Sequence, residues 1–313
     1  MAVAPDGTRY QVYFRTHRGG CGIEWEVAEA EFRQVTRGLA IADEHLWPAR
    51  MRLQFSLPEE LQDELTRRVQ WLGYSQALVR VDPRHGLGKG RKDRALVRAK
   101  RWLLGTQRVG DDLVDFSELW VADEAERVEG SPHARPFRFI YRGEIAESLG
   151  SRGERRLSPC DARFLVNITP TKPGDVLLDP YAGLGGIVSV ALGRGVRVIC
   201  GDIDDALRIG LGDLTGGMAA IWDATDLPLP DRCADVIVTE PPYSVGRREA
   251  VCDSVFEMAR CLRPGGRIAI LVDPPLYEMI GPAAEACGLE PEREFPVRRR
   301  GFLATAIVWQ HAP

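Results

Sequence analysis

The chain has 313 residues, 44% of them apolar and 27% charged, which excludes a fibrous or disordered protein and leaves room for two domains. It contains no run of eighteen apolar residues, and the opening residues lack the apolar core of a signal peptide, so a cytoplasmic protein without a membrane segment is expected. Seven scattered cysteines with no C-x-x-C pair argue for reduced thiols and against a zinc site, and no metal is expected. The net charge of −4 does not by itself point to nucleic acid, but its distribution is uneven. Residues 84–101, "RHGLGKGRKDRALVRAKR", carry eight Lys/Arg against one Asp, a net of +7 that leaves −11 for the rest. Lys89, Arg91 and Lys92, beside glycines, are candidate phosphate contacts. A solvated helix face is the competing reading.

In chain order, "YQVYF" reads as a strand and "IEWEVAEAEFRQVTRGLA" as a long acidic helix. "MRLQFSL" alternates like a strand, and a helix begins near "SLPEELQDELTRRVQWLG", with Ser56 as a candidate cap and Pro58 near the first turn. "ALVRV" is a further strand. This gives an α+β domain over residues 1–134 with no catalytic pattern, and a connecting stretch over 135–160.

Residues 161–313 have a different texture, with short apolar runs alternating with helical segments: "DVLLD", "RVICGD", "ADVIVTE", "RIAILVD" and "TAIVWQ". Continuous β-branched runs of this kind predict a mostly parallel sheet covered on both faces, a doubly wound α/β domain. The last run follows "FPVRRRGF" so closely that an antiparallel hairpin should close the sheet. The stretch between Asp204 and Asp223 is short, so the third strand, "AAIW", should be reduced.

Ligands bind at the carboxyl ends of such strands. The first run ends in "DPYAGLGG", where Gly183 and Gly185 permit a tight turn and close backbone approach at a helix start. The second ends at Asp202, nineteen residues after Gly183, where a carboxylate reads a ribose diol. Asp223 and the backbone of Ala224 are placed to read an adenine amino group. The fourth ends in "TEPPYS", where two prolines stop the strand between the carboxylate of Glu240 and the ring of Tyr243. No cysteine follows these prolines, which argues against cytosine-C5 chemistry.

These motifs, in this order, resemble the class I S-adenosylmethionine-dependent methyltransferases, and "EPPY" resembles their amino-group signature, [DNS]-P-P-[YFW]. More narrowly, "RPF", "LSPCDARFLVNIT", "DVLLDPYAGLGGI", "GDIDD", "WDATDLPLPDRCADVIVTEPPYS" and "LRPGGRIAIL" resemble the THUMP-containing tRNA guanosine-N2 methyltransferases over residues 135–310. The resemblance implies a Rossmann-like domain binding S-adenosylmethionine, a tRNA partner, methylation of a guanosine exocyclic amine, and a THUMP-like first domain. It implies cofactor contacts from Asp179, Tyr181, Gly183, Gly185, Asp202, Ile203, Asp223 and Ala224, and a target clamp of Glu240, Pro241, Pro242 and Tyr243. Glu240 departs from the family's aspartate. Two other readings therefore stay open: a small-molecule amine N-methyltransferase, or a catalytically impaired protein that binds cofactor and RNA.

Overall fold

The computed structural model describes residues 8–14, 24–69, 71–81, 107–109, 112–114, 137–142, 157, 159–299 and 302–312. Lys89, Arg91 and Lys92 lie outside them. The chain divides into two compact units, one of residues 1–16 and 35–149, the other of residues 17–34 and 150–313.

In the first unit, β1 (Thr8–Phe14) begins a five-stranded antiparallel sheet. The helix α1 (Trp25–Val35) follows, with Glu26 in its first turn and Arg33 in its last, as the helix dipole favours. All but its final residue group with the second unit, although sequence texture placed it in the first domain. The chain then returns through β2 (Ala42–Trp47), β3 (Arg52–Leu57), α2 (Gln62–Val69) and β4 (Ser75–Val81). Strand β2, rich in exposed polar residues, gave no strand signal in the sequence. Ser56 is not a cap: it belongs to β3, and Pro58 occupies the N-cap of the short 3-10 turn before α2 without a side-chain bond. A separate ribbon pairs β5 (Gln107–Val109) with β6 (Asp112–Val114). β7 (Phe137–Arg142) pairs with β4, so part of the expected connecting stretch is sheet. The sheet order is β2-β3-β1-β4-β7, and Tyr10, Val12, Leu53, Phe55, Leu57, Leu65 and Leu78 are buried in this unit.

In the second unit, α3 (Pro159–Ile168) leads into β8 (Val176–Asp179), α4 (Gly186–Gly193), β9 (Arg197–Asp202), α5 (Arg208–Thr215) and β10 (Ala219–Ile221). Next come β11 (Ala234–Thr239), α6 (Arg248–Cys261), β12 (Leu262–Val272), α7 (Pro274–Ala286), β13 (Leu289–Arg299) and β14 (Phe302–His311). The seven-stranded order is β10-β9-β8-β11-β12-β14-β13, parallel except for β14, which runs antiparallel to both neighbours. The expected hairpin is present, with β13 at the edge, and β10 has only three residues. Strands β8 and β11 are almost wholly buried because helices cover both sheet faces, which is why they read as unbroken apolar runs.

Gly201 shows how closely β9 and β10 approach. A Cβ there would lie 2.4 Å from the Ala220 carbonyl oxygen and 2.7 Å from Trp222 Cε2. Backbone cannot yield as a flexible side chain does, so Gly201→Ala is expected to cost roughly 1–3 kcal/mol in chemical denaturation.

Candidate active site

Because β8, β9, β10 and β11 run parallel, their carboxyl ends share one edge of the sheet. The chain leaves β8 toward β9 on one side and returns through β11 on the other, so the β8/β11 boundary is the switch point where a crevice opens. Asp179, Asp202, Asp223 and Glu240 follow or end these four strands. Strand β13 runs parallel to β12, so Arg299 at its end and Phe302 at the start of β14 come to the same edge.

Asp179 is buried, and its Oδ1 accepts a 2.7 Å hydrogen bond from the Thr239 hydroxyl, which ties β8 to β11. Burial pushes its pKa up to about 7, against the pull of the Thr239 hydroxyl and the Tyr181 N–H, with the charges of Asp202 and Glu240 adding to the rise. A folded-state value above the unfolded one means that stability from this group is present at acid pH and lost as pH rises toward 7. Relative to Asp179→Asn, the wild type should therefore lose up to about 4 kcal/mol between pH 4 and pH 8, read from paired denaturation curves.

After β8 the chain turns through Gly183 and Gly185, at φ 52° and 78°, and Gly185 caps α4. The turn is fastened to the next strand end, since Asp202 Oδ2 accepts the Gly183 N–H at 2.9 Å while its Oδ1 accepts the Asp204 N–H at 3.0 Å. Ile203, beside Asp202, is an exposed apolar side chain. Asp223 Oδ1 accepts from the Thr225 N–H and hydroxyl, which hold this carboxyl below its ordinary range. Ala224 is buried. Trp222 is a core residue whose Nε1 donates to the Pro180 carbonyl at 3.1 Å. Tyr181 packs against the core beside α6, and burial pushes its hydroxyl up to about 12. The ring expected among the cofactor contacts is thus largely engaged by the interior.

The clamp contains more than its motif shows. Tyr243 donates its hydroxyl to Glu240 Oε1 at 2.5 Å, and Arg299 Nη2 lies 3.1 Å from the same oxygen. Arg299 Nη1 donates to Asp161 Oδ2 on α3 at 2.6 Å. Burial raises the Glu240 carboxyl, while the Arg299 guanidinium and the Tyr243 hydrogen bond pull it down; the net direction is up. Burial opposes the charge of Arg299, but Glu240 and Asp161 more than offset it and raise its value. Tyr243 packs edge-to-face on Phe302, with centroids 5.5 Å apart. Pro241 is buried and Pro242 exposed.

Sequence reasoning missed Asp161, Thr239, Arg299 and Phe302. Arg299 was visible in "RRR" only as charge, and Asp161 only as a letter within "LSPCDARFLVNIT". Arg298 instead pairs with Glu24, and Arg248, beyond the clamp, with Asp273. Among the described residues no His/Cys/Asp/Glu group is arranged to hold a metal, six cysteines are free thiols, and no helix is long and apolar enough to cross a membrane.

The strand order, the antiparallel β14 and the glycine turn at the switch point define the class I methyltransferase fold. The solved structure of TrmN from Thermus thermophilus matches 97% of this chain and 99% of its own with a TM-score of 0.53, and at 19% identity the likeness is one of fold. In sequence, the chain is 33% identical over 158 residues to the tRNA (guanine(10)-N2)-dimethyltransferase of Methanothermobacter thermautotrophicus, covering 48% of this chain and 43% of that one. It is 34% identical over 131 residues to the tRNA (guanine(6)-N2)-methyltransferase of Thermus thermophilus, covering 37% and 39%. The chain thus spans less than half the length of these two curated relatives. No family model matches it. The resemblance read from the motifs agrees with these matches: over part of its length the chain is similar to curated tRNA guanine-N2 methyltransferases.

Proposed function

We propose that the protein is an S-adenosylmethionine-dependent N-methyltransferase that acts on an exocyclic amino group, guanosine N2 in tRNA. The observation that carries this reading is the Glu240 carboxylate, fixed by Tyr243 and Arg299 at the end of β11. It stands on the same sheet edge as the glycine turn and the three aspartates. S-adenosylmethionine supplies an electrophilic methyl group on a sulfonium. The residues present suit it: carboxylates at Asp179 and Asp202 complement its cationic half and ribose diol, and Asp223 with Ala224 suits its adenine. Gly185 sits at φ 78°, a backbone conformation that L side chains rarely adopt, so this turn is suited to glycine. A cation beside Asp179 favours its ionised form, so cofactor affinity should rise with pH through about 7.

A purine exocyclic amine is a poor nucleophile because its lone pair is delocalised into the ring. Glu240 and the Pro241 carbonyl accept its two N–H bonds and aim the lone pair at the methyl carbon. The prolines add no competing N–H and hold the carbonyl direction. Tyr243 offers an aromatic face to an unstacked base. Positioning is the dominant contribution, worth roughly 7–11 kcal/mol for well-oriented reactants. The methylated nitrogen is acidic and gives its proton to Glu240 or to water, so no stronger base is needed. The first unit, and Lys89, Arg91 and Lys92 outside the described residues, would hold the RNA, with the cytoplasm as the compartment.

The test is transfer of labelled methyl to bulk unmodified tRNA, with a nuclease-treated sample and Glu240→Ala alongside. Nuclease-sensitive label that vanishes with Glu240→Ala supports the reading. Absence of label in a chain that still binds the cofactor would reject it and send the search to small amines.

A further inference from the structure

The glutamate of "EPPY" is the chain's departure from the aspartate of the resembling motif, and one extra methylene moves a carboxylate by about 1.5 Å. Chemistry that depends on positioning does not tolerate a shift of that size without compensation. The compensation is visible in the hairpin. Both contacts to Glu240, from Arg299 Nη2 at 3.1 Å and from the Tyr243 hydroxyl at 2.5 Å, fall on Oε1. Oε2 has no partner among the described residues. Arg299 is itself anchored, because Asp161 Oδ2 takes its other terminal nitrogen at 2.6 Å and its side chain is mostly buried.

We infer that Arg299 is a positioning residue that draws Glu240 Oε1 back toward the β13–β14 hairpin and leaves Oε2 as the acceptor for the substrate amine. The inference rests on the function proposed above. Glutamate and arginine form one unit here. The longer side chain spans the distance to the hairpin, and the cation keeps it both aimed and ionised in a buried place. Asp161 completes the chain of charges, so that a negative–positive–negative sequence runs from α3 through the hairpin to the motif. Phe302, edge-on to Tyr243, fixes the ring whose hydroxyl makes the second contact.

The test uses the full chain as Arg299→Met, Arg299→Lys, Glu240→Gln and the Arg299→Met/Glu240→Gln pair. Without the cation, an ionised Glu240 is mostly buried with the Tyr243 hydroxyl alone to answer it. Arg299→Met should therefore lower the melting temperature more at about pH 8 than at about pH 5.5, and the added Glu240→Gln should reduce that pH dependence without abolishing it, because Asp161 also loses the arginine. In methyl transfer to unmodified tRNA, Arg299→Met should lower kcat at least about tenfold and move its acid limb upward by about one pH unit, with a smaller change in KM. Arg299→Lys, which keeps the charge but not the fork, should retain an acid limb closer to that of the wild type. Arg299→Met with melting curves parallel to the wild type at every pH, or with an unmoved kcat profile, overturns the inference. A wild type that transfers no methyl group to RNA overturns the proposed function and not the pairing, which the melting curves test on their own.

Discussion

Glu240→Ala is expected to lower kcat for methyl transfer about 10²–10³-fold, the loss of roughly 3–4 kcal/mol of preorganised transition-state stabilisation. Cofactor affinity should change little, because the glycine turn is held by Asp202 and not by the clamp. The size of the effect follows from what else Glu240 does. It answers Arg299 and receives the Tyr243 hydroxyl, so removing it frees the aromatic ring and leaves the guanidinium with Asp161 alone. Glu240→Gln separates the two contributions. It keeps the shape and an acceptor oxygen but loses the charge, so it should fold better than the alanine variant and still turn over slowly. Glu240→Asp puts back the residue usual in the resembling motif, yet shortens the reach to Arg299, and a rate below wild type is the expected result. Single-turnover transfer with radiolabelled cofactor, read beside calorimetric cofactor binding, distinguishes these outcomes. Equal turnover by wild type and Glu240→Ala would remove Glu240 from the mechanism.

The second large effect lies outside the clamp. Glu31→Ala is expected to cost about 3–5 kcal/mol of stability, enough to lower the melting temperature by several degrees. Glu31 is fully buried on α1, and its Oε1 accepts the Asn167 Nδ2–H at 2.6 Å. Asn167 Oδ1 in turn accepts from Arg194 Nη1 at 2.6 Å. Burial lowers the Arg194 value, and the Glu31 charge opposes that effect. Alanine would therefore remove the Glu31 acceptor from a buried amide and the negative charge that favours a desolvated cation. Glu31→Gln preserves the acceptor and should lose less. The same contacts bear on where the second unit begins. A fragment cut at residue 150 lacks residues 17–34, which group with that unit, and should melt below the intact chain for this reason. Differential scanning calorimetry on the two point variants and the fragment checks all three statements.

The elements that the sequence made legible are those with a one-dimensional signature. Val176–Asp179, Arg197–Asp202 and Ala234–Thr239 read as strands because burial on both faces demands unbroken apolar runs. The strand-end positions Asp179, Gly183, Asp202, Asp223 and Glu240 were legible because a parallel sheet puts successive carboxyl ends on one edge. Spacing along the chain was enough to align them.

What only the tertiary structure decided lacks such a period. Arg299 lies in a run of three arginines that reads the same whether solvated or buried, and only the antiparallel return of β14 brings it to Glu240. Asp161 reads as an ordinary acid in the first turn of a helix until it meets that arginine. Tyr181 follows the strand that ends at Asp179, yet its ring packs against the core, because the core offers it apolar contact. Helix α1 has the amphipathic pattern of any surface helix, and nothing local records that Glu31 bonds Asn167, far along the chain. The sequence alone therefore determined the fold class and the sheet edge where the candidate residues gather, because those follow from periodic burial and strand direction. Which charges face one another depended on the closing hairpin and on a long-range helix contact, and neither leaves a repeat in the sequence.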